Sequence, residues 1–304
     1  MTYVARKLGL AFLVALAVSL MSFLLLRASG DIAIALAGEG ARSEDIEEMR
    51  RVYGLDRPMV VQYLEWLFAM LRGDFGRSFY YRSDVIDLIA SKTPVTALLA
   101  VLSLVFAIAL SLPLGILAAV YRNSWVDRLC TTVAVIGQAL PNFFFALVLI
   151  IVFGVMLRWV PVSGSGSLMH YLLPTIALGY YVTPPFMRLV RAGMVEVLGS
   201  DYVRTARAKG LSSGSIIFKH ALRNALVPVV ALAAVQLGLL LAGSVVIETI
   251  FALDGLGYLA YQSIIQKDVP VTQAVVTLLS FVYIGLTLAA DLLNAWIDPR
   301  LRSE

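Results

Sequence analysis

The chain has 304 residues, 60% of them hydrophobic and 14% charged, with 24 Lys and Arg against 20 Asp and Glu for a net charge of +4. An apolar share so far above the roughly 45–50% of soluble domains excludes an ordinary water-soluble fold, and positive charge gathered in short stretches beside apolar runs argues against nucleic acid as a partner. The single cysteine, Cys130, excludes an internal disulfide, and neither His170 nor His220 has Cys or carboxylate neighbours at metal-ligand spacing.

Crossing about 30 Å of hydrocarbon takes roughly 20 apolar residues in a helix. Six segments satisfy this, which predicts an all-α membrane protein with six transmembrane helices. The first covers residues 8–26, behind Arg6 and Lys7. It outruns the roughly 7–15 residues of a secretory signal, and no A-x-A cleavage pattern follows, so it reads as a retained span. Between Arg27 and Val95 lie two predicted amphipathic helices. Glu44, Asp45, Glu47 and Glu48 crowd the first turn of one, where a helix dipole favours acids, and Gly54 ends it. The other begins near Pro58 and carries Tyr63, Trp66, Leu67 and Met70 towards Gly73. Both are expected to lie against the membrane face or on the bundle.

The second span is expected at about 96–120, the third at about 129–156 and the fourth at about 170–190, with a turn at VSGSGS, residues 162–167. A basic stretch follows at residues 202–228, with five Lys or Arg and no acid. The fifth and sixth spans are expected at about 229–250 and 272–294. Helix breakers stand in or beside spans two, four and six, at Pro113, at Pro184 and Pro185, and at Gly285. In lipid such positions must face protein or a cavity.

Short basic sites fix the orientation. Arg6 and Lys7, Arg122 and Arg128, the stretch 202–228, and Arg300 with Arg302 all fall on one face if both termini are cytoplasmic. The large segment between helices 1 and 2 then lies outside the cytoplasm; it holds nine Lys and Arg, but segments beyond about 60 residues translocate largely regardless of charge.

Polar side chains inside spans are the usual pointers to function. Gln138 and Asn142 in span three, Gln236 in span five and Glu248 near its end are the candidates for a translocation pathway; interhelical packing is the alternative reading of the amides. No ladder of acids or histidines suggests a proton relay. There is no G-x-x-x-x-G-K-[ST] loop for ATP, no G-x-S-x-G nucleophile and no metal cluster, and Asp74-Phe75-Gly76 has no accompanying kinase elements. No catalytic, cofactor-binding or metal site is therefore assigned, and any chemical work falls to another chain.

The basic stretch divides around a break. Tyr202 to Lys209 is rich in helix formers, Gly210 suits the left-handed conformation that ends a helix, and Ser212 or Ser213 can cap the next piece. From Ser215 to about Asn224, Ile216, Ile217, Phe218, Ala221 and Leu222 are expected largely on one side. Thr205, Ala206 and Ala208 are small enough to let another backbone approach. A bent two-helix knuckle beside the membrane is predicted.

DYVRTARAKGLSSGSIIFKHALRNALVP, residues 201–228, resembles the EAA loop of ABC importer membrane subunits, in the form of the dipeptide/oligopeptide/nickel permease group. Further similarity lies in YGLDRPMVVQYLEWL, GDFGRSF, SLPLGILAA with SWVDR, VVIETIFALDGLG and DLLNAWIDPR, so it covers most of the chain. Arg204 and Thr205 stand where other importers begin with Glu-Ala. The resemblance implies a type I ABC importer permease fold in a prokaryotic inner membrane, with residues 1–91 as first helix plus extracytoplasmic segment, 92–294 as the permease core and 295–304 as a cytoplasmic tail. It implies a second homologous permease, two ATP-binding subunits that carry ATP and Mg, and an extracytoplasmic solute-binding protein. It also implies that the loop docks on the ATPase through Arg204, Thr205, Ala206, Ala208, Lys209, Gly210, His220 and Asn224, and that the solute is a peptide, with nickel chelates, glutathione or oligosaccharides as alternatives. A self-sufficient channel or secondary transporter is the competing reading of another class; an intramembrane enzyme lacks any catalytic constellation.

Overall fold

The computed structural model describes residues 2–28, 30–38 and 40–297, and among these it is all helical, with no β-strand. The ends Arg300 and Arg302, and most of the 295–304 tail, lie outside the described residues. A long first helix α1, Thr2–Ala28, leads to three short ones, α2 (Ile32–Ala37), α3 (Ser43–Val52) and α4 (Met59–Leu71). Next come α5 (Val85–Val120), α6 (Trp125–Ala139) and α7 (Asn142–Leu149), which continues as a π-helical run over Ile150–Met156. α8 (Leu172–Leu198), α9 (Asp201–Ala208), α10 (Leu222–Ala225), α11 (Val227–Ile250), α12 (Leu256–Ile265) and α13 (Val269–Ile297) complete the chain.

Four helices, α1, α5, α11 and α13, are long and apolar enough to cross a membrane, and α6 with α7 makes a fifth span if the bent pair is counted as one. α8 overlies the predicted fourth span but continues past it to Leu198, and it falls short of the other spans in apolar character. The core lies where α5, α8 and α11 meet, with Leu99, Leu178, Phe186, Val190, Leu240 and Ile247 buried between them.

The third span is not the single helix expected over 129–156. α6 stops at Ala139 and α7 leaves at 100° to it. The cause is local: the ring of Pro141 disfavours a helical backbone at the residue before it, and Leu140 is extended at φ −99°, ψ 137°. The other prolines do not break their helices. α5 runs unbroken through Pro94 and Pro113, and across the boundary expected at 91–92. Pro113 is exposed on this chain rather than turned into it.

α8 also runs through Pro184 and Pro185. A proline removes the donor to the carbonyl four residues back, and for Pro184 that carbonyl belongs to Tyr180. α6 comes closest there: a Cβ built on Gly137 would lie 2.5 Å from the Tyr180 oxygen. The Tyr180 hydroxyl donates to the Val133 carbonyl across the same seam. A glycine, a freed carbonyl and a tyrosine thus let α6 lie directly on α8.

The short helices between α1 and α5 have the expected bounds. Gly54 and Gly73 sit at φ +62° and +83° just past α3 and α4, and Leu55 N–H closes back on the Arg50 carbonyl at 2.8 Å. α2 was not predicted; Asp31 caps it through the Ala33 N–H at 2.9 Å.

Gly137→Val is expected to lower stability by about 1–3 kcal/mol, the usual cost of overpacking, because its Cβ has nowhere to go but into α8. Thermal unfolding of the detergent-purified chain checks this, and an unchanged midpoint would show that α6 can draw away from α8 freely.

Candidate functional site

The predicted knuckle exists and hangs from the ends of α8 and α11. Gly199 ends α8, and the chain turns at Ser200 into α9. Val203 is fully buried and α9 packs on the 215–221 limb, while Arg204, Thr205, Ala208 and Lys209 face outwards and Ala206 is half-buried. Arg204 pairs with Asp201 at 3.1 Å in full exposure, so the pair adds little stability. Gly210 is exposed at φ +76° with open space around its would-be Cβ. Its constraint is the backbone conformation alone, which a β-branched side chain resists.

The second limb begins where Ser212 accepts from the Ser215 and Ile216 N–H groups, with its hydroxyl and its carbonyl respectively. It is π-helical over Ser215–Ala221. That wider turn moves the register: Ile216 and Ala221 are buried as expected, but Phe218 is 63% exposed. His220 is half-buried on this limb. The two limbs are joined by one hydrogen bond, from Asn224 Nδ2 to the Tyr202 hydroxyl at 2.8 Å. Asn224 is therefore a strut between the limbs, although its side chain is exposed.

Beside the knuckle lies an ion pair that single-sequence reasoning did not find. Arg191 of α8 binds Asp127 of α6 through both forks, Nε to Oδ1 at 2.8 Å and Nη2 to Oδ2 at 2.6 Å. Asn123 N–H donates to the same carboxylate at 3.0 Å. Bidentate pairing of this kind fixes orientation as well as charge. The available signal was Arg191 itself, a cation in an apolar segment that must have a partner. At the same end of the bundle Lys7 of α1 reaches Asp291 of α13 at 2.8 Å.

The four pathway candidates do not converge. Gln138 is exposed and Asn142 half-buried on either side of the Pro141 break. Gln236 is buried within α11, and Glu248 lies about 18 Å further along that helix at 1.5 Å per residue. Glu248 is fully buried and enclosed by this chain's own donors: Thr96 Oγ1 at 2.8 Å, Gly257 N–H at 2.8 Å and Tyr258 N–H at 3.0 Å. Leu256 N–H donates to Thr96 Oγ1 at 2.8 Å. The first three amides of α12 are thus satisfied, two of them by a carboxylate at the positive end of a helix dipole.

A second buried carboxylate works nearby. Asp268 accepts from the Ser78 hydroxyl and from the Phe79 and Tyr80 N–H groups, which ties the 73–84 turn to the start of α13. Lys92 pairs with Asp254. These contacts all lie at the end of the bundle away from the knuckle.

Residues 111–303 match the family described as binding-protein-dependent transport system inner membrane component, and residues 1–100 match its N-terminal companion. The chain belongs to this family. It is an inner-membrane permease subunit of an ABC importer. It is 42% identical over 302 residues to the glutathione transport system permease protein GsiC of Escherichia coli strain K12, covering 98% of each chain, and equally so to that of Shigella dysenteriae serotype 1. Among solved structures it is similar to the inward-facing MetNI methionine ABC transporter, with TM-score 0.59 and 22% identity over 69% of this permease and 96% of that chain. A second crystal form of MetNI gives 0.57 and 20%. The fold is that of a type I importer permease.

Asp127→Leu and Arg191→Leu are each expected to destabilise the permease, and the double variant to recover part of the loss. The coupling in the double-mutant cycle should be about 0.5–3 kcal/mol, read from unfolding midpoints. Simple additivity would mean that the two charges are stabilised separately.

Proposed function

We propose that this permease forms one half of the translocation pathway for small peptides and receives mechanical work through the knuckle at residues 201–228. The observation that carries the reading is the knuckle's construction. Its two limbs are held together by Tyr202 and Asn224, anchored by buried Val203 and Ile216, and present Thr205, Ala208, Lys209, Gly210 and Phe218 outwards. An exposed aromatic among small and basic residues is what a protein cleft can grip.

The chain is read as six spans, α1, α5, the bent α6–α7 pair, α8, α11 and α13, with the knuckle and both termini cytoplasmic. Alternation supports this count, since Lys7 with Asp291 and Asp127 with Arg191 share one end while Glu248 with Thr96 and Lys92 with Asp254 share the other. The segment between α1 and α5 then faces the extracytoplasmic side. A second permease completes the pathway, two ATP-binding subunits hold ATP and Mg and hydrolyse the nucleotide, and a solute-binding protein delivers the solute. This chain contributes no catalytic group.

Closure of the ATPase pair moves the knuckle, and a strut between its limbs converts that displacement into rotation of α8 and α11 together. Gln138 and Asn142 flank the one sharp bend in the spans and, with Gln236, are the amides assigned to the pathway. Glu248 serves the pathway by fixing α5, α11 and α12 to one another. Glutathione is a peptide with two carboxylates and one amine, and the 42% identity to a glutathione permease makes it the first solute to test.

Gly210→Val in the permease co-reconstituted with its neighbouring subunits is expected to leave assembly intact and to reduce solute uptake at least tenfold, because a β-branched residue resists the backbone at φ +76°. Uptake and solute-stimulated ATPase are measured together. Normal uptake from a normally assembled complex would overturn the coupling role, and uptake by the purified chain alone would favour a self-sufficient carrier.

A further inference from the structure

α4 carries two apolar surfaces, and only one is covered. Tyr63, Trp66 and Met70 turn towards the bundle, while Val60, Leu64, Phe68 and Leu71 form a second stripe that is 69%, 43%, 58% and 70% exposed. At 100° per residue these four lie within about 80° of arc, so they make one continuous face. A helix that is apolar on both sides is unsuited to the water-exposed surface of a segment between spans.

Its depth can be read from what it touches. The Tyr63 hydroxyl bonds the Ser19 hydroxyl of α1 at 2.8 Å, and the Phe23 ring meets Tyr63 at 5.4 Å and Trp66 at 6.1 Å between centroids. Ser19 stands seven residues before Leu26, where the apolar run of α1 ends, which is about 10 Å along the helix. A leaflet of hydrocarbon is about 15 Å thick. α4 therefore meets α1 inside the membrane rather than above it. One turn beyond Phe23, Arg27 folds back and lays its guanidinium over the Phe23 ring at 4.2 Å.

The polar groups of α4 agree with this placement. Glu65 is set apart from the exposed stripe, about 40° past Val61 at its edge at 100° per residue, and pairs with Arg57 at 2.6 Å, both half exposed. Thirteen residues make a helix of about 20 Å, too short to cross hydrocarbon. On the far face of α1 Met21, Leu24 and Leu25 are apolar and exposed as well, so α1 presents lipid-facing side chains at the same level.

We propose that α4 is an in-plane helix sunk into the leaflet at the Arg27 end of α1, with Val60, Leu64, Phe68 and Leu71 against acyl chains and Glu65 with Arg57 in water. The membrane itself is the occupant of the stripe. α4 then anchors the described residues between α1 and α5 to the bilayer surface and sets their height above the pathway.

The test places a nitroxide singly at Val60→Cys, Leu64→Cys, Glu65→Cys and Phe68→Cys, with Cys130→Ala, in the complete transporter in phospholipid nanodiscs. Retained ATPase activity reports folding for each labelled form. At 60, 64 and 68 the collision rate with oxygen should exceed that with a water-soluble nickel chelate several-fold, with the order reversed at 65. Ready access of the chelate to 64 and 68 would overturn the proposal. So would low access of both agents there, which would mean that a partner protein covers the stripe.

Discussion

No water reaches the hydrocarbon core, so every charge and every freed backbone group in a span must find its partner within protein. Most of this permease's architecture follows from that requirement. Arg191 can lie in an apolar helix because Asp127 takes both of its forks. The amide end of α12 can be buried because Glu248 and Thr96 accept its donors. α6 can press on the proline-containing α8 because Gly137 leaves room beside the Tyr180 carbonyl.

These partnerships divide the molecule into two differently built ends. Away from the knuckle, Glu248 and Asp268 are both fully buried and each gathers three donors from other segments, which makes that end a set of bolted corners. At the knuckle end the polar links described above are more exposed: the strut at Tyr202 and Asn224, the pair at Lys7 and Asp291, and the half-open Arg191. The buried corners hold α5, α11 and α12 to a fixed spacing.

What the sequence made legible was local. Apolar runs gave the long helices, Gly54 and Gly73 marked the ends of α3 and α4, and the Lys209-Gly210 step marked the bend of the knuckle. What it concealed depended on distance. The side-chain partners of Asp127 and Glu248, Arg191 and Thr96, lie 64 and 152 residues away, and nothing in either neighbourhood names them. Identical letters also behaved differently: Pro184 sits in a helix packed on both sides and is absorbed, whereas Pro141 follows an extended Leu140 and turns the chain. Phe218 was placed on the packed side because a regular helix was assumed, and one π-helical stretch was enough to swing it outwards.

The turn at Pro141 has an electrostatic consequence. α6 ends there, about 22 Å from its start, so its last carbonyls present a negative pole within the bilayer's thickness; α7 begins at once, and the amides of Asn142, Phe143 and Phe144 present a positive one. Two opposite partial charges are thereby brought side by side with no ionised side chain at either. The elbow is thus polar in its backbone while carrying no net charge.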